Sequence, residues 1–207
     1  MVGAPVIPGC RVTSDTAGVH RQPLLAVLAD YERENASEVE CIGRIRELVR
    51  KSPNCFQRSC LPGHITASAW IVSQDRQRFL LTHHRKLDRW LQLGGHADGD
   101  PDVFAVALRE AREESGLQAF ERLGDLPIDV DVHRIPARAA EPPHEHHDIR
   151  FLLVAGADED VVVSHESHAL AWFEWDALGS DLREESLLRM AHKARRRLFG
   201  PPPASDR

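Results

Sequence analysis

The chain has 207 residues, 42% of them hydrophobic and 28% charged, which is the composition of a globular domain with extra length rather than of a disordered or fibrous chain. A formal charge of −6 excludes a broad basic footprint for nucleic acid, and no run of about 18 apolar residues is present to span a membrane. Cys10, Cys41, Cys55 and Cys60 form no CxxC pair and are too sparse for a disulfide scaffold, so reduced thiols and a cytoplasmic location are expected.

Residues 1–60 read as an N-terminal extension. Its first 20 residues, with Pro5, Pro8 and several glycines, lack the basic start and apolar run of a signal peptide and are expected to be poorly ordered. Two helices follow. Leu24, Leu28 and Tyr31 share a face over Pro23 to Glu34, and Val39, Ile42, Ile45 and Leu48 share one over Glu38 to Lys51, where Ser37 and Glu40 have capping-box spacing. From residue 61 to 200 the texture is that of a mixed α/β domain. Ile65 to Ser73 and Phe79 to His83 read as a hairpin around the turn Gln74 to Gln77, and Arg85 to Gly99 as a loop. A helix is expected from Pro101 to Ser115, with Asp100 as N-cap, Pro101 as first helical residue and Gly116 beyond its end. Strands are expected over Ile128 to Arg134, Asp148 to Ala155 and Ala171 to Glu174, then a helix from Glu184 to Leu198 and a disordered tail, 201–207. The basic cluster Lys193 to Arg197 reads as the last turn of that helix, complementing its dipole.

One segment carries chemistry. Glu110, Glu113 and Glu114 stand at i, i+3 and i+4, which puts three carboxylates on one helix face. Like charges so placed repel, and hard divalent cations with a preference for oxygen would offset them. Just upstream, Gly94-Gly95 allows the main chain to approach a metal or phosphate closely. A solvated acidic face with Arg109 and Arg112 as partners is the bland alternative for the helix, and a simple turn is the bland alternative for the glycines.

Taken together, Gly95, Arg109, Glu110, Ala111, Glu113, Glu114, Gly116 and Leu117 resemble, in identity and spacing, the box of the Nudix hydrolase family, and Trp90 to Gly95 resembles the usual approach to that box. The resemblance implies an α/β/α sandwich around a mixed sheet and hydrolysis of a phosphoanhydride, in a nucleoside diphosphate linked to another group. It implies Mg²⁺, with Mn²⁺ as a substitute, held by Glu110, Glu113, Glu114 and the Gly95 carbonyl, with Arg109 orienting the carboxylates. One position departs: Pro101 stands where the family has a glutamate that pairs with the arginine, and Asp98, Asp100 and Asp102 are the candidates to replace it.

Further candidates flank the box. If His144 to Arg150 enters a strand, His144, His146, Asp148 and Arg150 share one face, open to three readings: substrate phosphates, a transition metal, or water. His83 is a candidate phosphate contact, Trp90 a base-stacking or buried aromatic, and Glu166 a late-loop carboxylate of the kind some family members use. The expected partner is a small nucleotide, without nucleic acid or membrane, and a homodimer stays open. Two rival functions remain. One is a ligand-sensing module that keeps the fold without catalysis. The other is an isopentenyl diphosphate isomerase, disfavoured because no cysteine follows Cys60.

Overall fold

The computed structural model describes residues 16–137, 141–165, 167–179 and 182–200. The expected disorder of the first 15 residues and of 201–207, and any role for Glu166, therefore lie outside the described residues. In chain order the elements are α1 (Thr16–Val19), α2 (Gln22–Glu34), α3 (Val39–Lys51), β1 (Gly63–Val72), β2 (Arg78–His84), β3 (Arg89–Leu91), β4 (Leu93–His96), α4 (Val103–Ser115), β5 (Phe120–Arg122), β6 (Asp129–Ile135), β7 (His144–Ala155), β8 (Ser167–Glu174) and α5 (Glu185–Phe199).

The eight strands form one mixed sheet. β1 runs parallel to β7 and antiparallel to β2 and β4, while β6 and β5 pair with β7, and β3 and β8 with β2. The strand period of two divides β1 between two layers. Ile65, Ala67, Ala69 and Ile71 face α4, with Ile65 and Ala67 also meeting the N-terminal helices. Trp70 and Val72 face α5, where Leu187, Met190, Ala191 and Ala194 cover them. This is the expected sandwich, with α2 and α3 extending the α4 layer. Among the described residues no helix is long and apolar enough to cross a membrane.

Several local expectations change. The loop expected over Arg85 to Gly99 contains β3 and β4, short strands that pairing with β2 and β1 creates and that no local alternation announces. β7 starts at His144, four residues early, because its polar start pairs with β1 and β6 on both sides. Thr16–Val19 is helical where poor order was expected. Ser37 does not cap α3. It lies in a 3₁₀ turn, Ala36–Glu38, and Glu38 instead accepts from the Tyr31 hydroxyl at 2.8 Å. Helix α4 begins two residues late, capped by Asp102, whose carboxylate accepts from the amides of Phe104 (3.1 Å) and Ala105 (3.0 Å).

The layers are locked by a buried ion network at the polar end of the sheet. Arg150, 2% exposed, donates to Asp148 (2.8 Å), Asp129 (2.9 Å), Asp131 (3.0 Å) and the Ser186 hydroxyl of α5 (2.8 Å). From α5, Arg189 reaches Asp129 and Asp131, and Lys193 reaches Asp129, Tyr31 and Glu38. Lys193 is thus no member of a solvated basic turn; it ties α5 to α2 across the sheet edge. Burial alone would raise the Asp131 carboxyl, but His133, Arg150 and Arg189 hold it far below the usual range. Removing one member of such a set strands the others as uncompensated charge. Asp129→Ala, at a carboxylate with no exposed surface, is expected to lower the unfolding free energy by about 3–5 kcal/mol in urea titrations. Arg44→Ala, which breaks the surface pair with Glu145, should change it by less than about 1 kcal/mol. Equal effects of the two would remove the network from among the supports of the fold.

Candidate functional site

The site is built where α4 lies against β4 and β1. Register places Gly94 opposite Ser68 and Gly95 opposite Ala67. A Cβ on Gly94 would lie 2.3 Å from the Ser68 Cβ and 2.6 Å from its Cα, so any side chain would push two paired strands apart. A Cβ on Gly95 would lie 2.5 Å from an oxygen of Glu110. The two glycines therefore do different work. The first permits the strand pairing. The second lets a helix carboxylate rest against bare main chain.

Three glutamates extend from α4 toward this bend in graded exposure. Glu114 is buried, 8% exposed, and accepts from the Gly94 amide at 3.1 Å. Glu110 is half-buried over Gly95, and Glu113 is exposed. Val106, Ala107 and Ala111, on the same inward side of the helix as Glu110 and Glu114, are fully buried, which fixes the rotation of α4 and with it the direction of the carboxylates. Gly116 ends the helix with φ 78°, a left-handed conformation that suits glycine, as its position past Ser115 led one to expect.

Arg109 spans the gap between helix and strand. Its guanidinium donates to Glu110 at 2.7 Å and to the His96 carbonyl at 2.8 Å. The three aspartates that could have replaced the glutamate missing at Pro101 are engaged elsewhere. Asp98 pairs with Arg58, Asp100 accepts from the Asp102 amide at 2.9 Å, and Asp102 caps α4. Instead of any of these three, Glu110 supplies the carboxylate that Arg109 holds.

The remaining candidates fall in two groups. His83 and Trp90 are cross-strand partners on β2 and β3, with ring centroids 5.1 Å apart, and Trp90 meets Phe173 edge-on at 4.9 Å. Trp90 is thus a partly buried aromatic packed against the core. His146, Asp148 and Arg150 do share one face of β7, as the alternation implied, but that face is the floor of a buried polar layer. Asp148 accepts from the hydroxyls of Thr66 (3.0 Å) and Ser68 (2.8 Å), Arg150 is spent on carboxylates, and His146 joins a group of histidine rings. The reading of this stretch as a strand end facing water is overturned by the burial of His144, Asp148 and Arg150. Ser68, whose backbone meets Gly94, had gone unremarked, and His64, which lies beside His146, reads from the sequence as a structural histidine. Both stand on β1, and only the pairing of β1 with β4 and β7 brings them to the site.

Two concavities, of about 420 and 400 Å³, open elsewhere: one between α2 and the start of α4, lined by Val19, Leu24 and Phe104, the other beside Arg112 and Gln118. Neither is lined by Glu110, Glu113 or Glu114.

Gly94→Ala is expected to destabilise the protein by about 1–3 kcal/mol, since backbone atoms cannot yield. Gly95→Ala meets a side chain that can swing away, so it should unfold nearer the native midpoint yet bind divalent cations more weakly. Denaturant titration and calorimetric ion binding on both variants check this, and the reverse ranking in stability would contradict the geometry.

Comparison with known proteins now adds to this geometry. The model of the NUDIX domain family matches residues 62–197, two thirds of the chain. Among solved structures, a NUDIX-family hydrolase from Clostridium perfringens is 26% identical, with a TM-score of 0.51, over 63% of this chain and 95% of that one. A Nudix hydrolase from M. smegmatis is 16% identical, with a TM-score of 0.50, over 67% of this chain and 88% of that one, a likeness of fold alone. An Ap4A hydrolase from C. elegans is 19% identical, with a TM-score of 0.49, over 66% of this chain and 98% of that one. No curated protein matches.

Proposed function

Because the chain belongs to the Nudix family of hydrolases, we propose that it hydrolyses the diphosphate bond of a nucleoside diphosphate joined to another group, in a reaction dependent on Mg²⁺ or Mn²⁺. The observation that carries the reading is the carboxylate of Glu110 seated against the bare Gly95 main chain, with Glu114 anchored on the Gly94 amide beside it. An oxygen-only set of this kind suits hard divalent ions. Glu110, Glu113, Glu114 and the Gly95 carbonyl would hold them. When bound, such ions neutralise the diphosphate and lower the pKa of a water nucleophile.

The chain's own residues do the rest. Glu114 is preset by its amide contact, so little ordering remains when a ligand arrives. Arg109 holds Glu110 in one rotamer through its bridge to the His96 carbonyl, which leaves the second Glu110 oxygen on the Gly95 side, placed to take a proton from water. Glu113, exposed, is the carboxylate nearest solvent and the natural one to meet incoming ions. In the reaction, water oxygen bonds to phosphorus, the bridging P–O bond breaks, and the two products leave as phosphate esters with release of a proton. Trp90 and His83 offer a flat aromatic wall and an imidazole for the substrate's base or phosphate. Asp148 and Arg150 act beneath the site, fixing the β1–β7 floor.

A panel of nucleotide sugars, dinucleoside polyphosphates, ADP-ribose-like compounds and noncanonical nucleoside triphosphates, each with Mg²⁺ or Mn²⁺, tests the reading. At least one compound should yield phosphate-ester products, and Glu113→Gln, with unchanged circular dichroism, should lose about 100-fold or more in rate, since one charge that stabilises the transition state is gone. Turnover indifferent to Glu113→Gln would reject the site. Tight binding of one compound without turnover would instead favour a ligand-sensing module.

A further inference from the structure

Apart from the carboxylates, a second group of side chains meets at the opposite face of β4. His64 of β1, His96 of β4, and His144 and His146 of β7 bring their rings together, with His64 4.9–5.0 Å from each of the other three centroids. His133 of β6 packs edge-on against His146 at 5.5 Å. The proposed hydrolysis uses none of these imidazoles, and a hydrophobic core has no need of them.

Three features point to a ligand. First, His64 is 2% exposed, and among the described residues neither of its ring nitrogens has a hydrogen-bond partner, although the Cys60 backbone approaches it. A buried polar group left so is costly unless something fills the position. Second, the His144 Nδ1 lies 2.9 Å from the Pro142 carbonyl, which can only accept. In neutral His144 the proton is therefore on Nδ1, which leaves the Nε2 lone pair to accept a proton or an ion. This is the second contact that metal-bound histidines make to fix their tautomer. Third, that Nε2 lies 3.3 Å from the Nε2 of His146. Two nitrogens bound tetrahedrally to zinc at about 2.0–2.1 Å stand roughly 3.3 Å apart. A nitrogen of His64 completes the set: the three ligand atoms lie within 4.8 Å of one another.

We propose that His64, His144 and His146 form a binding site for one zinc-class divalent ion, separate from the glutamates of α4. Three neutral imidazoles select zinc and its late neighbours over magnesium, which takes oxygen ligands. Burial favours the ligating form, pushing His64 down to about 4 and His146 down to about 2, with the neighbouring imidazoles adding to the effect. The register of the sheet supplies the geometry, since His64 pairs directly with His146 across the parallel β1–β7 ladder. A fourth position would remain for water or for the adjacent His96. An ion here would tie the start of β1 to the start of β7, next to the strand that carries Gly95.

Cobalt is the probe, because tetrahedral Co²⁺ absorbs strongly in the visible and octahedral Co²⁺ weakly. The full chain, kept in excess Mg²⁺ to fill the carboxylates, is titrated with Co²⁺ and then with Zn²⁺. One equivalent of Co²⁺ should give the intense spectrum and Zn²⁺ should displace it. The signal should persist in Glu113→Gln and weaken at least about 100-fold in apparent affinity in His144→Ala, a loss at or above that seen for outer-shell partners. If His144→Ala does not fold, His146→Gln, at a partly exposed position, reports the same loss. A weak octahedral spectrum, a signal abolished by Glu113→Gln, or one untouched by both histidine variants would each overturn the site. Loss or persistence of the signal in the histidine variants leaves the diphosphatase reading untouched, since that reading rests on different residues.

Discussion

The contact between the Gly94-Gly95 main chain and the α4 carboxylates governs the arrangement of everything around it. Both positions must lack a Cβ, for two reasons: at Gly94 one would strike Ser68 of the paired strand at 2.3 Å, and at Gly95 one would strike Glu110 of the helix at 2.5 Å. Close packing then brings negative side chains and main-chain dipoles into a part-buried space, where electrostatic terms are stronger than in water. Like charges at i, i+3 and i+4 repel. The helix tolerates them because Arg109 neutralises Glu110 and an amide neutralises part of Glu114, which leaves Glu113 facing solvent.

The departure at Pro101 is resolved by the same economy of contacts. Proline opens the approach to a helix that Asp102 caps, so the capping site needs nothing from residue 101. Arg109 is held along its own helix by Glu110, with the His96 carbonyl as the second acceptor. This couples the arginine directly to the carboxylate proposed to take the proton. A charge-assisted bond to a carboxylate holds its geometry better than a neutral one.

Much of this was legible in the chain itself. The box at Gly95 to Leu117 named the fold, and the helical spacing of the glutamates placed them on one face. Local alternation also foresaw that His146, Asp148 and Arg150 would share a side of β7. What local pattern could not give was the identity of that side. Period-two alternation separates two faces without saying which is wet. Here Asp129 and Asp131 of β6, with Arg189 and Lys193 of α5, turn the polar face into interior. β3 and β4 were missed for a related reason. Three or four residues hold too few turns of the pattern to register, and their pairing with β2 and β1 is long-range. The capping of α3 and α4 failed differently: Ser37 lies in a 3₁₀ turn and α3 has no side-chain cap, because Glu38 at its start is held by Tyr31, while at α4 Asp102, as able as Asp100, is the residue that the chain direction selected.

The two charged layers of the molecule stand in contrast. On the α4 side, carboxylates gather with one arginine and an excess of negative charge. On the α5 side, Arg150, Arg189 and Lys193 face Asp129, Asp131, Asp148 and Glu38, and the sum is close to balanced. A balanced buried network holds elements in register but offers little to an anionic ligand, because its cations are already desolvated and paired. An unbalanced acidic one attracts cations, and through them phosphates. That difference argues that α5 and the N-terminal helices serve as the frame. Lys193 draws α2 onto the sheet edge through Tyr31 and Glu38, and the backbone of β1, pinned between β7 and β4, carries that rigidity to Gly94. Three carboxylates on one stretch of helix need such support, since their own repulsion would otherwise spread them.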